Sequence, residues 1–98
     1  MAERFYCGDA PRQVSYREGT ERQPLDPRFD LRKHSSAGLG WGESSTGSAL
    51  QLALALLTDA LRDDPRALEI HQDFSRRVIP LLPKRWTISR SRILALRG

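Results

Sequence analysis

Cysteine is almost missing from this 98-residue chain, where Cys7 stands alone. One thiol excludes an internal disulfide framework and any thiolate metal site built from this chain by itself. It fits a reducing compartment, so a cytoplasmic location is expected. Long apolar runs are missing too. The longest, Ala49 to Leu57, is nine residues interrupted by Gln51, well short of the roughly 20 that cross a bilayer, so no membrane span is expected. Met1 to Arg12 holds no apolar core and carries Glu3 and Asp9, which excludes a secretion-signal pattern; this start is expected to be mature sequence. Acidic residues disappear from Lys84 onward, where Lys84, Arg85, Arg90, Arg92 and Arg97 stand with no Asp or Glu.

That last absence sets the charge pattern. The chain carries a formal charge of +4 and a pI near 10.0. Residues 1–47 contain seven bases and seven acids, which cancel, so the whole excess lies in the second half. The tail from Lys84 therefore reads as an anion-facing surface, with nucleic acid or a carboxylate-rich protein as the partner class. The plainer explanation for so many arginines is coding bias: only Lys33 and Lys84 among the 16 basic residues are lysines. The length allows one small domain, residues 1–98. A chain this short removes about two-thirds of its unfolded surface from water. That supports one modest core and argues for binding rather than multi-step catalysis.

Local patterns predict an α+β fold, a small N-terminal antiparallel β-sheet packed on an antiparallel helical hairpin, with a short C-terminal helix. Arg4-Phe5-Tyr6-Cys7 and Gln13-Val14-Ser15-Tyr16 are β-prone runs either side of a turn-favouring Gly8-Asp9-Ala10-Pro11, and read as a hairpin. Residues 17–36 read as a long loop pinned by Leu25, Phe29 and Leu31. Leu39 and Trp41, two apart among glycines, suggest a short strand. A helix is expected from about Thr46–Ser48 to Arg62, because its leucines and alanines are strong helix formers that leave almost no polar face. Asp64 is expected to cap a second helix with Pro65 at its first position, running to Ile79 before Pro80. Trp86-Thr87-Ile88 reads as extended, and Ser89 as the cap of a last helix holding Ile93, Leu94 and Leu96. Leu52, Leu56, Phe74 and Val78 are the expected core.

No complete catalytic motif is present. Gly42 to Ser48 has the glycine spacing of a phosphate-binding loop but lacks its lysine, since Ser48 directly follows Gly47; nucleotide hydrolysis is not expected. The backbone N–H groups of that helix start, with Ser44, Ser45, Thr46 and Ser48, form a candidate anion site beside His34. The simpler reading is that these hydroxyls only cap the helix. His34, within Arg32-Lys33-His34-Ser35, is the one candidate base, and His71 lies on the apolar side of the second helix, where a structural hydrogen bond is expected. His34, His71 and Cys7 show no metal-ligand spacing. No catalytic residue, metal or cofactor is assigned. The binding residues are taken as Lys84, Arg85, Arg90, Arg92 and Arg97.

One ordered combination carries a resemblance. Leu25-Asp26-Pro27-Arg28-Phe29-Asp30-Leu31-Arg32, then His34-Ser35, Gly38, Trp41-Gly42 and the Gln51-Leu52-Ala53-Leu54-Ala55-Leu56-Leu57 run, resemble a family of short bacterial proteins of unknown function that also occurs on phages and plasmids. The likeness continues through His71-Gln72-Asp73-Phe74, Arg76-Arg77-Val78, Leu82-Pro83 and Trp86-Thr87. Lys33 and Ser36 depart from the family's asparagine and proline, and Arg90 and Arg92 stand where its last helix is acidic. The resemblance implies a mobile-element setting, in which a small protein binds and inhibits a host nucleoprotein complex such as a CRISPR effector. It transfers no catalytic residue. The competing expectation is a minimal enzyme or sensor that holds a small anionic ligand between His34 and the Ser44–Ser48 loop.

Overall fold

In a computed structural model, residues 3–9, 13–35, 38–41 and 46–97 are described. Three strands come first: β1 (Arg4–Asp9), β2 (Gln13–Glu18) and β3 (Glu21–Pro24). Helices α1 (Thr46–Leu61) and α2 (Asp64–Arg77) follow, then a 3₁₀ turn at Ile79–Leu81, β4 (Trp86–Ser89) and α3 (Arg90–Leu96). The strands form one antiparallel sheet in the order β3-β2-β1-β4, with Tyr6 opposite both Tyr16 and Ile88. The expected α+β class is the observed one, and the sheet is larger than the expected hairpin.

The reading of residues 17–36 as loop is corrected at β3. Arg17 and Glu18 finish β2, and Glu21–Pro24 runs back along it. Gly19, at φ 63°, opens the two-residue turn between Glu18 and Glu21, a position that demands positive φ and so favours glycine. Every residue of β3 is exposed, so no apolar alternation marks it in the sequence; Pro24 closes this edge strand. Gly8 and Asp9, read as turn, instead continue β1; the Ala10–Pro11 part of that turn lies outside the described residues. The Leu39–Trp41 strand does not form. Leu39 is buried in an irregular segment, and Trp41 stands edge-on to Trp86 with ring centroids 5.6 Å apart.

Helix α1 is the centre of the core: Leu52, Leu54, Leu56 and Leu57 are at most 1% exposed. It packs on α2, α3 packs on its flank, and its Asp59 bonds to β1. It ends at Leu61, with Arg62 in the left-handed region at φ 56° and its N–H donated to the Thr58 carbonyl. The cap of α2 is Asp63 rather than Asp64: its side chain accepts from the Arg66 N–H, and Asp64, inside the first turn, pairs with Arg28 at 2.9 Å. The helix stops at Arg77, two residues before the expected end, because Pro80 lacks an N–H and the chain tightens into the 3₁₀ turn. Ser89 caps α3 through the Arg92 N–H, and Phe74 and Val78 join the core.

A charged tie joins the sheet to α1. Asp59 accepts from Tyr6 Oη at 2.6 Å and from Arg4 Nη1 at 2.9 Å, while Arg4 Nε reaches Glu18 at 2.9 Å. Burial and the Asp59 bond hold the Tyr6 phenol well above its ordinary range, so it stays a donor.

Candidate functional site

Gln51, an interruption in the apolar run at first sight, organises the long connection. It is fully buried, and its amide spends all of its polarity on that segment. Nε2 donates to the carbonyls of Pro27 at 2.6 Å and Arg32 at 2.9 Å, and Oε1 accepts the His34 N–H at 2.7 Å. The connection is thereby laid across the start of α1. There the His34 carbonyl presses on Gly47 so closely that a β-carbon at that position would lie 2.7 Å from it. Ser35 Oγ and Ser48 Oγ are 3.1 Å apart.

This placement brings together two histidines that are 37 residues apart in sequence. His34 Nε2 and His71 Nε2 are 2.9 Å apart, and His71 Nδ1 is 2.8 Å from the Leu68 carbonyl. A carbonyl can only accept, so His71 carries a proton on Nδ1; when both rings are neutral, its Nε2 is the acceptor and His34 Nε2–H donates to it. The two rings are thus engaged with each other. His71 is 1% exposed and His34 half-buried. Burial, then the neighbouring His71 and Arg32, push the His34 pKa below its ordinary value. With its proton already on Nε2 and given to His71, His34 can act as a base only through Nδ1. Among the described residues no group of three or more metal-ligating side chains occurs.

For the proposed anion site, Ser48 is 4% exposed, with its hydroxyl beside Ser35 and the His34 carbonyl close to Gly47. A carbonyl oxygen at this helix start is an acceptor, the opposite of what an anion seeks. Ser44, Ser45 and the Thr46 side chain lie outside the described residues. Trp41 rests against Trp86, and its Nε1–H donates to the Lys84 carbonyl at 3.2 Å.

The predicted basic residues lie on both sides of β4. Lys84 and Arg85 are exposed before β4, with Arg85 Nε 2.9 Å from Asp9. Arg92 and Arg97 are exposed beyond β4, on α3 and just after it. Arg90 is half-buried and donates from Nε to the Ala60 carbonyl at 2.7 Å, satisfying an end-of-helix acceptor of α1. Arg77 likewise donates to the Leu96 carbonyl at 3.1 Å, at the end of α3. Gln51 and the His34–His71 pair are what sequence reasoning missed; a lone polar residue within an otherwise apolar helix was the available signal.

These features define a small α+β fold in which the buried Gln51 and His71 bond to the 27–34 segment. The chain belongs to the family of unknown function DUF6166, whose model matches residues 6–97. No curated protein and no solved structure gives a significant match. No helix among the described residues is long and apolar enough to cross a membrane.

Proposed function

We propose that the chain is a non-enzymatic binding protein whose partner is densely anionic, a nucleic acid or a nucleoprotein complex. The observation that supports this most is the sequence from Lys84 on. It has no carboxylate side chain, and four of its five basic residues, Lys84, Arg85, Arg92 and Arg97, are exposed. By contrast, His34 is engaged with His71, and the Ser48 hydroxyl with Ser35. The wider setting belongs to the same proposal: action in a bacterial cytoplasm, from a mobile element, against a host nucleoprotein complex such as a CRISPR effector. The sequence resemblance alone supports that setting.

Titration against labelled single- and double-stranded oligonucleotides at two salt concentrations tests the electrostatic core of the reading. Direct phosphate contact requires log affinity to fall linearly with log salt concentration. A pull-down from host extract with and without nuclease separates a nucleic-acid bridge from a protein contact. Absence of oligonucleotide binding at low salt, together with a nuclease-resistant partner, would replace nucleic acid by protein.

A further inference from the structure

The core uses only one face of the sheet. Strand alternation in the observed register sends Tyr6, Tyr16, Trp86 and Ile88 toward the helices. The opposite face carries Phe5 and Cys7 from β1, Ser15 and Arg17 from β2, Arg22 from β3 and Thr87 from β4. Phe5 is half-buried yet, unlike Tyr16 and Ile88, does not pack on the core. It sits on an interior strand of the sheet. Arg17, its cross-strand partner, places its guanidinium carbon 5.9 Å from the ring centroid.

Two hollows border this face, the first also taking in the core-side residues Val14, Gln23, Leu25 and Leu39, and Phe5 stands beside them rather than in either lining. One of about 750 Å³ lies where β2 and β3 meet the segment through Leu25 and Leu39, and another of about 300 Å³ lies among Cys7, Thr87 and Arg85. Asp9 and Arg22 line both, so together they make a groove running across the strands. Its charge is positive: Arg22 and Arg85 stand against Asp9. The Asp9–Arg85 pair is exposed, with the Arg85 side chain 80% accessible, and pairs of that kind are weak enough for a phosphate to compete.

The geometry points to a single-stranded nucleic-acid surface on the open face of the sheet, with Phe5 stacking a base and Arg22 and Arg85 taking phosphates along the groove. An aromatic ring on an interior strand offers its face to an unstacked base, and arginines across the strands track a flexible backbone. A duplex keeps its base faces hidden and cannot use the ring. This inference rests on the reading of the chain as a binder of an anionic partner, and places the principal contact on the sheet rather than on α3.

Cys7 reports on the site in the unmodified protein, because it is the only thiol and shares this face with Phe5, two residues away. Fluorescein-labelled 12-nucleotide oligo(dT) and a 12-base-pair duplex are titrated at 50 and 200 mM salt, and Cys7 alkylation by N-ethylmaleimide is timed with and without saturating oligo(dT). Single strand is expected to bind at least about tenfold tighter than duplex, and Phe5→Leu to weaken it by about tenfold, as loss of one stacked base does. The Arg22→Gln, Arg85→Gln double variant is expected to lower the salt slope by about 1.4 for two lost phosphate contacts. Bound oligo(dT) is expected to slow alkylation at least severalfold, a measurement that stands even if Phe5→Leu folds poorly. Equal affinity for duplex, or unchanged alkylation at saturation, overturns the sheet-face assignment while leaving the general reading intact. Protection of Cys7 by oligoglutamate equal to that by oligo(dT) overturns it in favour of an acidic protein. Failure to bind either oligonucleotide at 50 mM salt overturns both.

Discussion

Replacing Gln51 with leucine removes the amide that ties the 27–34 segment to α1 while keeping a side chain of similar size in a helix-compatible rotamer. Three hydrogen bonds disappear, and each contributes about 0.5–1.5 kcal/mol net. The orphaned groups, the Pro27 and Arg32 carbonyls and the His34 N–H, belong to a part-buried segment that can swing out to water. Full desolvation penalties of about 1–3 kcal/mol each therefore do not all apply. Leucine also recovers some apolar burial at a site that is 0% exposed. The expected net loss is about 2–3 kcal/mol, which for a domain of this size lowers Tm by about 10 °C or more. Urea denaturation gives the free energy, and amide exchange at His34 gives the local effect: protection there should collapse, while amides of α2 lose only what the global destabilisation removes. A Gln51→Leu protein within about 0.5 kcal/mol of the parent would show that the amide bonds do not hold the segment, and the account of how the two histidines are brought together would fall with it.

Leu56→Ala, at a position 1% exposed in α1, should cost about 2–5 kcal/mol in urea unfolding; a melt like the parent's would refute the central placement of that helix. Gly8→Ala puts a methyl 2.1 Å from Trp86 Nε1, so a loss of about 1–3 kcal/mol from forced repacking is expected, with a change in tryptophan fluorescence. Arg62→Gly relieves a left-handed backbone at φ 56° after α1 and should raise stability by about 0.5–1 kcal/mol, read from the denaturation midpoint. The His34 pKa is held below its ordinary value, so on acidification the unfolded chain takes up that proton first. The corresponding stability is complete above about pH 6.5, the unfolded value, and is lost as pH falls from there through the lower folded-state pKa. His34→Gln should flatten this part of the stability–pH curve, and an unchanged curve would refute the assignment.

The helices were legible because their signals are local. Leucine and alanine propensity marks α1, Asp-Asp-Pro marks the restart of the chain into α2, and Ser89 marks the start of α3; each acts within one helical turn of where it stands. The error of one residue at the α2 cap has the same origin, since either aspartate offers the same carboxylate and only the backbone decides which one turns outward. Strand β3 was illegible because an exposed edge strand has no buried side to impose alternation. Only the turn at Gly19 hinted at it.

The polar features were harder, for a different reason. The His34–His71 contact is made by the tertiary fold: Gln51 fixes the segment bearing one imidazole, and the α2 face presents the other. No spacing rule links positions that meet only after two elements pack. The basic residues show the same effect in both directions. Lys84, Arg85, Arg92 and Arg97 are close in sequence, yet a four-residue strand lies between the two pairs, a rise of about 13 Å before α3 begins. Arg17, Arg22 and Arg85 are scattered in sequence. Antiparallel register places Arg17 opposite Arg22, and the pairing of β4 with β1 delivers Arg85 to the hollow that Arg22 also lines. Which charges stand together is thus set by sheet order and strand pairing, not by closeness in the sequence.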